Sequence, residues 1–537
     1  MDSGSERSEK RSLPHNRLVE REQLDVAAEL DSDAPLDPVL AETIRRKIDW
    51  HLMPLMCIMY LMAFADKTTL GQSAVLGIIQ GTHLTQNQFN WLGTIFYLSY
   101  FAFEYPQNFA LQRLPVGKWM SVNIFIWSVA LLTHAACTSF GGLFAVRFIL
   151  GMCEGAITPG FMIVTSMFYT RAEQNKRVGY WFLMNGFAII FLGFVSFGVL
   201  HSKTHKFMPW QWLMTITGIL TLITSILFWF FFPDSPTTAY FLTVEERIAA
   251  VKRIKVNQAG VENKQWKREQ FIEALCDPKV WIMAIFAAQC RQFRMCHSGQ
   301  KPRRYRKNLT EFIFNPQLTN QRQLIINQFG FTPIQTTLLG CVDGVMEIVT
   351  IFIGVTLAGH SSIGRGYASV IMYIPALLGA ILVNSLPSHN KIGLLFSYWI
   401  SIFVFTPFVI LLGWMGVIIS GHTKKTTANA IVLCGYAVGN AAGPFMWKKQ
   451  YQPRNHIPWA IIAACIFTCA LLALSLRFLL QKENRQRDLT SQQTSDSDHD
   501  EVYMSQTLMD GTIVEKRVDR AFLDITDIQN REFRYAL

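Results

Sequence analysis

Apolar runs of about 20 residues recur along most of the chain, separated by short polar segments, and each is long enough to cross about 30 Å of hydrocarbon as a helix. The pattern predicts helices at 50–75, 89–111, 119–139, 142–168, 178–200 and 209–232. A polar stretch follows at 233–278, then further helices at 333–358, 366–386, 391–419, 427–447 and 456–480. A twelfth span is expected near 279–330, where the pattern is disturbed. The fold class this implies is an all-α membrane protein of two six-helix bundles. Its parts are a disordered N-tail (1–45), an N-terminal half (46–232), a central loop (233–278), a C-terminal half (279–480) and a disordered C-tail (481–537). In the central loop, Thr243 and Glu246 of "TVEE" form a capping box that starts an amphipathic helix. "EGAITPG" (154–160) and "GNAAGPF" (439–445) mark points where helices can bend beside a cavity.

Composition narrows the class further. Half of the 537 residues are hydrophobic and only 16% are charged, and the charges gather in the tails and a few loops. The net charge of +11 does not point to nucleic acid, because the basic residues sit between apolar runs, as in cytoplasmic membrane loops. Arg113, Lys118, Arg171, Lys176 and Arg177 follow the second and fourth helices, and the central loop is dense in Lys and Arg. Both termini are therefore expected in the cytoplasm, although Lys448, Lys449 and Arg454 fall in a loop that should lie outside. The 10 cysteines show no disulfide or zinc spacing and read as small packing residues. No cleavable signal peptide is visible, so the first helix is expected to serve as the insertion signal.

Ionisable residues inside apolar helices cost about 2.5–3.5 kcal/mol each on insertion scales and usually face a cavity. Here they are Asp66, Lys67, Glu104, Arg147, Glu154, Asp343 and Glu347. Arg147 and Glu154 are two helical turns apart and share a face, with an offset of only about 20°. Arg147, with its planar fork, is the candidate for holding an anion. Glu154 and Asp66 are the candidates for carrying a proton, since a low-dielectric site favours the protonated carboxyl and a nearby cation opposes that. The alternative is a structural ion pair that staples the first helix to the fourth. Asp66 and Lys67 point about 100° apart and need not pair with each other. Glu104 beside Pro106 reads as structural; Asp343 and Glu347, one turn apart, are open between structure and site. Arg171, Glu173 and Arg177 lie at a helix end where pairing can lock a cytoplasmic gate.

"RFILGMCEGAITPG", "FEYPQNFALQR", "FFPDSPTTAYFLTVEERIAAVKRI", "CDPKVW", "LTNQRQLIINQFGFTPIQTTLLGCVDGVMEI" and "FLDITDIQNREFRYAL" together resemble the fungal allantoate permease group. That group belongs to the anion:cation symporters of the major facilitator superfamily. The resemblance covers nearly the whole chain from about residue 45. It implies twelve helices and proton-coupled uptake of a small organic anion such as a ureido acid, nicotinate or pantothenate. It assigns protonation to Asp66 and Glu154, and substrate contact to Lys67 and Arg147. Lys67 stands where the group usually has Arg, which keeps the charge and loses the fork.

One segment departs from the group. After "VWIMAIFAAQ" the chain runs into 290–316, which carries Arg291, Arg294, Lys301, Arg303, Arg304, Arg306 and Lys307 and cannot sit in hydrocarbon. The family-like sequence resumes at "QLTNQRQ", with Asn320, Gln321 and Arg322 expected near the cavity. A retained intron translated in frame accounts for the break, and a genuine extramembrane insert is the alternative. The function expected overall is proton-coupled symport of a small organic anion by a multi-pass protein of the plasma membrane. It would act as a monomer, without cofactor or metal, using the proton gradient. The alternative is a non-transporting nutrient sensor on the same fold. An enzyme is not expected, because no nucleophile–base set appears.

Overall fold

The computed structural model describes residues 37–201, 207–254, 265–289, 325–326, 329–387, 389–442, 455–493, 524–530 and 533–537, with the backbone of 17–18, 502–507 and 513–518. The N-terminal half comprises α1 (Pro38–Val75), α2 (Ile78–Gly81), α3 (Gln86–Arg113), α4 (Val116–Ala136), α5 (Phe140–Glu154), α6 (Ile157–Phe168), α7 (Arg171–Leu200) and α8 (Pro209–Phe231). The central loop carries α9 (Val244–Ile254) and α10 (Arg268–Cys276). The C-terminal half comprises α11 (Pro278–Gln289), α12 (Pro333–Gly359), α13 (Gly364–Ser385), α14 (Lys391–Ser401), a 3-10 turn (Ile402–Phe405), α15 (Thr406–Ile418), α16 (His422–Ala442) and α17 (His456–Gln493). The tails contribute three strands, β1 (Arg17–Leu18), β2 (Val502–Thr507) and β3 (Ile513–Val518), with β1 parallel to β2 and β2 antiparallel to β3.

Among the described residues, 9 helical stretches are long and apolar enough to cross a membrane. Two of them are interrupted: α5 and α6 form one stretch broken after Glu154, and α14 to α15 form another that passes through the 3-10 turn. The α5/α6 break falls in "EGAITPG", where a bend was expected. Two further long helices, α3 and α16, are not in this set, and each carries polar groups along its length: Glu104, Gln107 and Asn108 in α3, Thr423, Lys424, Asn429 and Asn440 in α16. Those groups are buried, partly where the two helices pack on each other and partly against other neighbours, as Gln107 is on Asn123 of α4 (2.8 Å) and Lys424 on Asp527 (2.7 Å). The 12-residue α11 rises only about 18 Å and cannot span alone; residues 290–324, including Asn320, Gln321 and Arg322, lie outside the described residues.

The two halves meet along two seams, α7 against α12 and α3 against α16. Small residues set the first: a Cβ built on Gly186 would collide with the Gly344 carbonyl, and one on Gly344 with the Gly186 carbonyl. Towards the end that holds the tails, Asn175 Nδ2 donates to the Val355 carbonyl (3.4 Å) and Gln112 Nε2 to Thr423 Oγ1 (3.0 Å). Towards the opposite end, Thr94 Oγ1 donates to the Ala441 carbonyl (2.9 Å), and a Cβ on Gly193 would meet Cys341 Sγ. Both seams are thus closed at both ends.

The C-tail departs from the expectation of disorder. The last helix runs on to Gln493, and the final residues fold back under the C-terminal half. Asp527, 0% exposed, accepts from Lys424 Nζ (2.7 Å), Lys279 Nζ (2.9 Å) and the Tyr535 hydroxyl (2.8 Å). Arg487 donates to the carbonyls of Asp527 (2.9 Å) and Phe533 (2.7 Å), and Trp414 Nε1 donates to the Ala536 carbonyl (2.7 Å). The N-tail is also shorter than expected, since α1 begins at Pro38 with Asp37 as its cap (Val39 N to Asp37 Oδ1, 3.0 Å).

Candidate functional site

Lys67 lies deep in α1, and its ammonium forms an ion pair with the Glu154 carboxylate at the end of α5; the side chains are 10% and 3% exposed. Asp66, its neighbour, turns elsewhere: its Oδ2 accepts from the Thr221 hydroxyl on α8 (3.0 Å), and its Oδ1 has no hydrogen-bond partner. Adjacent positions on a helix diverge by about 100°, which is how one helix offers two charges to two neighbours. Arg147 is 2% exposed and its Nε and Nη2 make no hydrogen bond. Asp66, Glu154, Tyr97 and His134 are among the groups near its guanidinium. Arg147 and Glu154 therefore share a face, as expected, but the cation in ion-pair contact with Glu154 is Lys67.

Between the halves lies a cavity of about 40 Å³, room for a few water molecules at most, so this conformation is closed around its centre. The N-terminal half contributes Tyr60, Phe64, Lys67, Tyr100, Thr158, Phe182 and Asn185, and the C-terminal half Glu347, Phe405, Phe408, Val409, Leu433 and Tyr436. Lys67 is the one cation and Glu347 the one anion among these lining residues. Arg147, Asp66 and Glu154 do not line it. Tyr100 and Tyr436 face each other across the seam with ring centroids 6.3 Å apart, and Phe408 stacks on Tyr436 at 5.2 Å.

The remaining intramembrane acids separate by role. Glu104 accepts from Asn108 Nδ2 (2.8 Å) within α3 and approaches the α5/α6 break, where a Cβ on Gly155 would lie 3.4 Å from its Oε2. Asp343 accepts from the Tyr398 hydroxyl and from Trp399 Nε1, both at 2.9 Å, which ties α12 to α14. Glu347, one turn on, faces the cavity instead. At the tail end, Arg177 holds Asp49 through two nitrogens (3.2 and 2.8 Å), and Glu173 pairs with Arg253 of α9 (3.1 Å). Glu173 and Arg177 thus fasten α1, α7 and α9 together, within the N-terminal half and its loop. Arg171 is the member of that trio that reaches across, with its guanidinium 4.0 Å over the Phe533 ring of the C-tail. Among the described residues no group of three or more His, Cys, Asp or Glu side chains is placed to hold a metal ion.

Two halves with an enclosed polar site at their interface form the layout of a secondary transporter. The sequence profile of the Major Facilitator Superfamily matches residues 56–447. The chain belongs to this superfamily. It is an integral, multi-pass membrane transporter of the facilitator type, not an enzyme. It is 32% identical to the thiamine pathway transporter of Saccharomyces cerevisiae, over 92% of this chain and 86% of that one. It is 28% identical to the allantoate permease of the same yeast, over 98% and 92%, and 26% identical to its high affinity cysteine transporter, over 95% and 94%. Among solved structures, the facilitator proton:xylose symporter XylE aligns with a TM-score of 0.62 at 13% identity, covering 81% of this chain and 96% of that one, a likeness of fold alone.

Sequence reading of this facilitator missed the aromatic lining. Tyr60 and Tyr100 are buried and Tyr436 is half-buried, and nothing in an apolar run separates a tyrosine facing a cavity from one packed in a core. A polar hydroxyl at matching depth in α1, α3 and α16 was the available signal, since a buried phenol needs a partner.

Proposed function

We propose that this facilitator couples inward movement of a proton to uptake of a small organic anion, and that Glu154 and Lys67 form the coupling pair. The observation that carries the reading is the Lys67–Glu154 ion pair, whose lysine is the one cation lining the central cavity among the described residues. With Glu154 ionised, Lys67 is neutralised and has little to offer an anion. Protonation of Glu154 removes the carboxylate's charge and leaves the Lys67 ammonium unneutralised in a low-dielectric site, which then favours a substrate carboxylate. On release of substrate, Lys67 returns to Glu154 and the proton leaves, which closes the cycle. Arg147 and Asp66 stand behind this pair as a fixed charge and a second proton site. Glu347, from the opposite half, and the three tyrosines offer acceptor and hydroxyl groups to the rest of the molecule. A carboxylate that also carries N–H donors, such as a ureido acid, matches that lining; nicotinate and pantothenate are the other candidates.

The protein acts as a monomer in the plasma membrane, with its tails and central loop in the cytoplasm. Support for that orientation comes from Arg113, Lys118, Arg171, Lys176 and Arg177, which all lie at the tail end of the N-terminal half. The test is Glu154→Gln, which holds the site in its neutral form. Exchange of labelled for unlabelled substrate across the membrane should continue and become independent of pH, while accumulation against a gradient should vanish. Accumulation by Glu154→Gln at the wild-type level would remove Glu154 from coupling.

A further inference from the structure

A second, larger cavity lies on the outside of the α7/α12 seam. Its volume is about 370 Å³, and it is lined by Lys176, Gly179, Tyr180 and Leu183 from α7 and by Ile351, Phe352, Val355, Thr356, Gly359 and His360 from α12. Its lining is graded along the membrane normal. Lys176, in the second turn of α7, and His360, which caps the end of α12, lie at the tail-side boundary. Both are exposed. Lys176 has no ion-pair partner among the described residues, and no carboxylate is among the groups lining the groove. Deeper in, Tyr180 is 48% and Phe352 61% exposed, side chains that face hydrocarbon once the protein is in a bilayer. Two glycines shape its walls: at Gly179 α7 packs so close to α12 that a Cβ would come within 2.9 Å of Val355, while at Gly359 the wall is open and a Cβ would meet nothing within 4 Å.

We infer that this groove is a binding site for one anionic glycerophospholipid of the tail-side leaflet, with its headgroup phosphate on Lys176 and His360 and an acyl chain along Tyr180 and Phe352. Charge complementarity selects the headgroup, because an unpaired lysine beside an imidazole at a membrane boundary attracts an anion and the groove offers no competing carboxylate. The apolar depth selects a lipid over a soluble phosphate, since a free anion would leave Tyr180 and Phe352 uncovered. The site has a consequence for transport. One wall belongs to each half, so a lipid seated there touches both sides of the seam that must shift when the halves rock.

Native mass spectrometry of the purified full-length protein, released from nanodiscs of equal phosphatidylcholine and phosphatidylserine, tests this. One phosphatidylserine should be retained in preference to phosphatidylcholine. Lys176→Gln should lower that preference about fivefold, the worth of one lysine near an anionic surface, and Phe352→Ser should lower retention of both lipids. Lys176 is exposed and outside the coupling pair, so Lys176→Gln folds and transports in neutral lipid as wild type does. Equal retention of the two lipids by the wild type, an unchanged preference in Lys176→Gln, or displacement of the lipid by millimolar inorganic phosphate would each overturn the assignment. So would a dimer whose cross-links map to this face, because a second copy would then be the occupant.

Discussion

Replacing Asp527 by Asn removes one charge from the most heavily buried ionic cluster of the tail. The carboxylate is fully buried between two ammoniums, Lys424 at 2.7 Å and Lys279 at 2.9 Å, and also accepts from the Tyr535 hydroxyl at 2.8 Å. Breaking a buried ionic contact from one side costs about 3–5 kcal/mol, mostly because the partner charge is left uncompensated. Here Lys424 keeps Asp277 at 2.8 Å and Glu273 at 2.9 Å, which places the loss near the lower end, about 3 kcal/mol. At about 2 °C per kcal/mol for a large domain, the midpoint should fall by about 6 °C. Cys153, Cys465 and Cys469 are buried free thiols, so unfolding in detergent can be followed by the fluorescence of a thiol-reactive dye. Adding Lys279→Met should restore part of the loss, because without Asp527 this buried ammonium keeps only longer contacts, Asp277 at 3.6 Å and Glu483 at 3.4 Å. The same site carries a pH dependence. Burial alone would raise the Asp527 carboxyl, yet Lys424 and Lys279 outweigh it and hold it below the usual range. A depressed value in the folded protein gives a contribution that is complete above about pH 4, the ordinary carboxylate value, and is lost as pH falls through the folded value. The wild type should therefore lose the 6 °C advantage over Asp527→Asn in acid. A midpoint within about 1 °C of wild type at pH 7 would refute the account of the tail as a buried, charge-matched element.

Arg147→Gln should lose most uptake while reaching the membrane at normal levels, and Arg147→Lys, which keeps the fixed charge, should lose much less, measured by transport beside surface labelling; wild-type uptake by Arg147→Gln would remove Arg147 from the account. Gly186→Val should abolish close approach of α7 and α12 and cut uptake by about tenfold or more, with cross-linking across the seam reduced in parallel; normal uptake would show that the seam need not close. Sequencing of cDNA across residues 290–316 should find spliced transcripts lacking most of those codons, and full-length transcripts alone would sink the retained-intron reading.

Much of this architecture was legible in the order of residues. Apolar runs gave the long helices, Thr243 and Glu246 announced the cap that Thr243 N and Glu246 Oε2 form at 2.8 Å, and the helical angle between Asp66 and Lys67 foretold their separate partners. An ion pair stapling the first helix to the fourth was one of the two readings open in the sequence, and Lys67 with Glu154 forms one; that Lys67 rather than Arg147 is the partner of Glu154 was not legible. It depends on how α1 sits against α5, a tertiary relation that no spacing within either helix contains. Asp343 and Glu347 share a face, yet one ends on Tyr398 and Trp399 and the other in the cavity, because α14 covers only the first. The tail misled for a different reason. Its composition is polar, and its burial rests on Lys279 and Lys424, helix-end lysines that read as solvated until Asp527 is found between them. Phe533 and Tyr535, aromatics in an otherwise polar stretch, were the available hint.

The coupling claim is tested most directly by uptake of labelled small carboxylates into cells expressing this chain, at outside pH 5 and pH 7.5, with and without a protonophore. Accumulation of one carboxylate that is stimulated at pH 5, abolished by the protonophore and absent in Glu154→Gln is the result the account predicts. Accumulation that ignores both pH and protonophore would contradict it.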